Sequence, residues 1–99
     1  MADVIWAETA LAELDAVADY IALDNPSAAK NLVQTVFSKT RLLADFLEIG
    51  SAPNELADLD YRQLIISPCR IFYRISSDLE QVYIVHILRQ EHEMCRFFR

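Results

Sequence analysis

Polar and apolar residues along this chain change period about halfway, and that change divides the molecule into two kinds of element. Residues 3–6 contain the apolar, β-prone run Val-Ile-Trp and are predicted to form a short strand. From Glu8 to Ala22 apolar residues recur at three- and four-residue steps (Leu11, Leu14, Ala18, Ile21). Glu13, Asp15 and Asp19 fall elsewhere on the wheel. This is the pattern of an amphipathic helix with a solvated acidic face. Asp24-Asn25-Pro26 ends that helix and begins another, because the residue before a proline avoids helical angles, Asn caps well and Pro suits the first helical position.

The second helix is predicted over Pro26 to Leu47, with Ala29, Val33, Val36, Thr40, Leu43 and Leu47 on one face and Leu32 and Phe37 beside it. Gly50, the only glycine, follows its end, where a left-handed cap is expected. Residues 51–60 are polar and aperiodic. Thereafter the chain alternates in three β-rich runs, RQLIIS, RIFYRIS and QVYIVHIL, separated by short turn segments. They read as an antiparallel meander. The fold class is therefore α+β in the order β-α-α-β-β-β, a single domain over residues 1–99 with a helical hairpin on one face of a small antiparallel sheet.

Alternation also assigns faces. Ile71, Tyr73 and Ile75 share one parity and should meet the helices, while Arg70, Phe72 and Arg74 should line the open face. Trp6, Tyr73 and Tyr83 are expected in the core, and His86 is expected to be a hydrogen-bonded structural histidine. An aromatic flanked by arginines is a composition enriched at protein interfaces. The plain alternative is a charged solvent face of an ordinary sheet.

Charge sharpens this reading. The net charge is −6. Through Tyr61 three basic residues stand against eleven acidic ones, a balance of −8, and from Arg62 onward six arginines stand against four acids, a balance of +2. Every basic residue of the second part is an arginine, whose planar fork suits carboxylates and phosphates. Overall acidity disfavours general nucleic-acid binding, which depends on neutralising phosphates. Cys69 and Cys95 have no metal-site spacing and are expected to be reduced, buried or half-buried thiols. No metal, no cofactor and no membrane span are expected, and the N-terminus lacks the pattern of a signal peptide, so cytoplasm is the default compartment.

Four stretches in their order and spacing resemble the ParE branch of the ParE/RelE superfamily of bacterial toxins. They are VIWAETALAEL, DYIALDNPSAAKNLV, the GSAPNEL and DYRQLII segments, and PCRIFYRI. The resemblance implies a helical hairpin on a sheet. It implies a cognate antitoxin, a small DNA-binding protein with a flexible C-terminal segment, with operator DNA reached only through that antitoxin. ParE-like relatives are associated with blocking DNA gyrase without being hydrolases, and RelE-like relatives with cutting messenger RNA on the ribosome. A third possibility is a non-toxic module that serves as co-repressor.

The chain departs from the family pattern at Arg89, where many members place a histidine; His92 lies near their aspartate position. For RNA cleavage, Arg62, Arg70, Arg74 and Arg89 would supply cations and Glu55 or His92 a base or acid. The tail nevertheless ends Arg-Phe-Phe-Arg without the terminal Tyr of RelE-like centres. The expectation is a non-catalytic binder. Its partner-binding candidates are Arg62, Arg70, Phe72, Arg74, Arg89, Phe97 and Phe98.

Overall fold

The computed structural model of the protein describes residues 2–52 and 61–89. Its elements follow the expected order. They are β1 (Asp3–Trp6), α1 (Glu8–Ala22), α2 (Pro26–Arg41), a 3-10 turn (Leu42–Ala44), β2 (Arg62–Ile66), β3 (Cys69–Ile75) and β4 (Gln81–Arg89). The strands form one sheet in the order β1-β4-β3-β2. The meander β2-β3-β4 is antiparallel, as expected, but β1 joins β4 in parallel, so the sheet is mixed. The reason is the intervening helical hairpin, which returns the chain for a parallel pairing that no tight turn can make.

The link between the helices follows the local chemistry. Asn25 caps α2 by accepting from the Ala28 N–H at 3.1 Å, and Pro26 occupies the first helical position. The helix is shorter than its periodicity suggests, ending at Arg41 and tightening into the 3-10 turn. Thr40, buried near that end, gives its hydroxyl to the Val36 carbonyl at 2.8 Å, which satisfies a polar group inside the core. In α1 the buried face is Ala10, Leu14 and Val17, whereas Leu11 is 40% exposed. The helix is rotated so that the small Ala10 meets the sheet and Glu13 turns toward β4.

The core lies between the helices and one sheet face. Ile71, Tyr73, Val82, Ile84 and Ile87 pack against Leu14, Val17, Leu32, Val36 and Leu43. Strict alternation would not place Ile84 and Ile87 on the same side. The β3-β4 register shifts there, with Tyr73 opposite Ile84 and Phe72 opposite His86, so Val85 is the extra residue of a bulge. That one inserted residue turns both isoleucines inward. Trp6 packs beside the core, its ring centroid 4.9 Å from that of Phe37 on α2.

Gly50 has no positive φ, contrary to the expected left-handed cap. Its requirement is space. A Cβ at this position would lie 2.3 Å from the Gln63 carbonyl oxygen and 2.7 Å from the Tyr73 hydroxyl. Tyr73 needs this approach, since its buried hydroxyl accepts from the Gly50 N–H at 3.0 Å and donates to the Leu47 carbonyl at 2.9 Å. Ser51 then exchanges two backbone hydrogen bonds with Gln63, covering part of the outer edge of β2. Among the described residues no helix is long and apolar enough to cross a membrane.

Candidate partner-binding face

The open sheet face is built from alternate residues of all four strands. Strand register places Ile5, Tyr83, Arg74, Phe72, Arg70, Gln63 and Ile65 there. Phe72 was expected to be an exposed aromatic between two arginines, but it is fully buried. It packs with Leu88, and Tyr61 and Val85 close around it in a second apolar cluster, separate from the main core. The Arg70 guanidinium stands 5.2 Å from the centroid of the Phe72 ring, within reach of a cation–π contact. β3 therefore has apolar residues on both faces, which alternation between charged and apolar neighbours concealed.

Arg70 is nearly buried as well, 8% exposed. Its Nε and Nη2 donate to the Gln63 Oε1 at 2.9 and 2.6 Å. A partly desolvated guanidinium with a fixed acceptor is held in one orientation. Arg74 differs in remaining exposed, with its guanidinium 5.5 Å from the Tyr61 ring centroid and Tyr83 opposite it across the strands. Tyr83, expected in the core, lies on this face and is 36% exposed. Arg74, Ile75, Ser76, Ser77, Tyr83 and Val85 line most of an open concavity of ≈ 510 Å³, completed by Ala7. It offers one cation, several hydroxyls and an apolar floor.

The other candidates lie elsewhere. Arg62 pairs in register with Tyr73, so it belongs to the helix side of the sheet. Its Nη2 donates to the carbonyls of Glu48 and Gly50 at 3.2 and 2.6 Å, tying down the turn after α2, while its Nε is buried with no hydrogen-bond partner among the described residues. Arg89, at the end of β4, stands 5.0 Å from the Tyr20 ring centroid near the end of α1. Phe97 and Phe98 lie outside the described residues, as do Glu55, His92 and Cys95. Cys69 is fully buried. Among the described residues no group of three His, Cys, Asp or Glu side chains could hold a metal ion.

His86 is hydrogen-bonded, and its partner was not expected. Its Nδ1 lies 3.1 and 3.2 Å from the two carboxylate oxygens of Glu13 on α1. Glu13, assigned by periodicity to the solvated face, also accepts from the Ile87 N–H at 3.1 Å. β1 pairs only as far as Ile84, so the edge of β4 beyond it needs another acceptor, and Glu13 supplies it. Nothing in the spacing of Glu13 announces this, because the need arises from the unequal lengths of two strands distant in sequence. Gln63 and Tyr61 were missed for a similar reason, since their partners sit on the neighbouring strand.

Known proteins resemble this chain in sequence and in fold. The profile of the family described as the ParE toxin of type II toxin-antitoxin system, parDE, matches residues 4–94. Toxin RelE2 of Caulobacter vibrioides is 33% identical over 93 residues, covering 93% of this chain and 96% of that protein. The putative toxin Y4kP of Sinorhizobium fredii is 32% identical over 87 residues, covering 86% of this chain and 88% of its own. Among solved structures, the chromosomal ParDE TA system from P. aeruginosa superposes with a TM-score of 0.76 at 24% identity, over 92% of this chain and 98% of the other. The toxin-antitoxin complex RelBE2 from Mycobacterium tuberculosis gives a TM-score of 0.58 at 18% identity, over 92% and 93% of the two chains.

Proposed function

Since the chain belongs to the ParE toxin family of type II toxin–antitoxin systems, we propose that it is a non-catalytic binder that poisons DNA gyrase. A cognate antitoxin neutralises it by covering the open sheet face, in this proposal. The observation that supports a binding role is how the arginines are used. Arg62 holds the turn after α2, and Arg70 is fixed against Gln63 and Phe72. RNA cleavage of the RelE kind asks for cations gathered around a scissile phosphate together with an acid and a base. Here two of the four candidate cations are already committed to the fold. His86 is likewise held by Glu13 of α1.

The antitoxin segment that fits this face is acidic with an apolar residue beside the acid. Its carboxylate would meet Arg74, and its apolar side chain would rest over Val85 and Tyr83 in the concavity. The antitoxin itself is taken to be a small DNA-binding protein, so operator DNA is reached only through it. The proposed setting is the cytoplasm, where gyrase works.

The test is a supercoiling assay with purified protein. Inhibition and accumulation of cleaved DNA at near-stoichiometric protein, reversed by the antitoxin, are expected. Intact supercoiling at large excess would contradict the reading. A second reading is supported by a relative named as a RelE toxin, namely cleavage of messenger RNA on the ribosome. It requires cut transcripts in a translating extract and loss of cutting on Arg74→Ala.

A further inference from the structure

The tip of the β3–β4 hairpin holds the one non-glycine residue with a positive φ among the described residues, Leu79 at 61°. A left-handed backbone angle presses a Cβ toward the following carbonyl oxygen. Hairpin tips that need such an angle ordinarily place Gly there, or Asn, whose short polar side chain tolerates it. Leucine gains nothing locally from the position.

The turn itself does not ask for a leucine. The Leu79 N–H donates to the Ser76 carbonyl at 3.0 Å, and the Ser76 N–H to the Gln81 carbonyl at 2.9 Å. The Ser76 hydroxyl donates to the Asp78 Oδ1 at 2.6 Å and accepts from the Gln81 N–H at 3.0 Å. The same Asp78 oxygen accepts from the Glu80 N–H at 3.0 Å. These bonds, none of which uses the Leu79 side chain, over-determine the tip and hold Leu79 in its strained angle. The core does not ask for it either, since Leu79 is 61% exposed and belongs to neither apolar cluster. A large apolar side chain that strains its backbone and serves neither turn nor core points to a contact outside the chain.

Position identifies that contact. Ser76 and Ser77, at the start of the same turn, line the concavity beside Arg74, Tyr83 and Val85. The tip is therefore the rim of that concavity, and an apolar residue on it continues the apolar floor. We propose that Leu79 is a recognition residue for the antitoxin, meeting a second apolar side chain of the segment whose carboxylate meets Arg74. This rests on the reading that the antitoxin covers the open face. The over-determined turn fixes the leucine before binding, so little freedom remains to be lost when the contact forms.

Calorimetric titration of purified cognate antitoxin into full-length variants, with urea unfolding of each, tests this. Leu79→Asn relieves the backbone but removes the apolar reach. Its unfolding midpoint is expected above that of the parent, while its dissociation constant rises about tenfold. Leu79→Met keeps both the strain and the apolar reach, and should match the parent in both measurements. The proposal is overturned by a Leu79→Asn chain that binds as tightly as the parent. It is equally overturned by one less stable than the parent, because the leucine would then serve the fold, or by Leu79→Met binding as weakly as Leu79→Asn. A Leu79→Asn chain with parental antitoxin affinity but no effect on supercoiling would assign the leucine to gyrase instead. Arg74→Ala separates this inference from the reading beneath it. Weak binding by Arg74→Ala with parental binding by Leu79→Asn removes Leu79 alone. The reverse result removes the open face and leaves the antitoxin contact at the hairpin tip.

Discussion

The two faces of the sheet use the same residue types for different ends. On the helix side, Tyr73 is fully buried and both roles of its hydroxyl are satisfied by backbone groups, the Gly50 N–H and the Leu47 carbonyl. On the open side, Tyr83 is 36% exposed and borders a concavity beside an exposed arginine. Arginines divide in the same way. Arg62 secures a turn with two carbonyls, whereas Arg74 rests against a single ring. A polar group enclosed by the fold is held by several fixed partners, because leaving one unmet is costly. A polar group kept for a partner has room around it. The comparison predicts which substitutions should unsettle the fold and which should leave it intact while weakening recognition.

The largest effect is expected at Gly50. Adding a Cβ drives it into the Gln63 carbonyl and the Tyr73 ring, both parts of the packed sheet. Gly50→Ala should therefore lower stability by about 3 kcal/mol, read from urea unfolding. An unchanged unfolding midpoint would show that this corner is not tightly packed. Tyr73→Phe comes next, removing two buried hydrogen bonds and leaving the Gly50 N–H unmet, for a loss of about 2 kcal/mol. The same change at Tyr83, whose hydroxyl donates to the nearby Gln81 side chain at the surface, should cost no more than about 0.5 kcal/mol. Equal costs at the two tyrosines would erase the distinction between the faces.

Glu13 lies between these extremes. Glu13→Ala removes the acceptor of the Ile87 N–H and the partner of His86, and the Glu13 and His86 side chains are only partly sheltered from water. A loss of about 1 kcal/mol is expected, with faster amide exchange at Ile87 than at its neighbours. Protection of that amide unchanged from the parent would mean that another group caps the end of β4.

How much of this was legible depends on whether the cause is local. The Asn25-Pro26 start of α2 was readable because the cap and the proline act within one turn. The inward set Ile71 and Tyr73 was readable because a period of two admits only two assignments. The burial of Phe72 was hidden, since the chemistry covering it comes from Leu88, Tyr61 and Val85 on other segments. The parallel pairing of β1 and the capping duty of Glu13 were hidden too, because each follows from where the helical hairpin returns the chain. Gly50 was found for the wrong reason. Its position after a helix suggested a backbone angle, while its actual constraint is the tyrosine above it.

For the candidate face, alternation grouped three residues of β3. Arg70, Phe72 and Arg74 do share a face, but two of them are built into it and only Arg74 remains exposed. Arg62, across a turn from β3, belongs to the opposite side. The concavity also needs Tyr83 and the two serines after β3, which carried no signal of their own.

The division of labour between the faces is tested most directly by one substitution measured in two ways. Arg74→Ala should leave the urea midpoint within error of the parent, because its side chain is exposed and bears on one ring. The same protein should bind the antitoxin at least about tenfold more weakly by calorimetry, the loss of roughly 1.4 kcal/mol expected of a charge-assisted contact. Undiminished affinity in a fully folded Arg74→Ala chain would contradict the assignment of the open face as the antitoxin site.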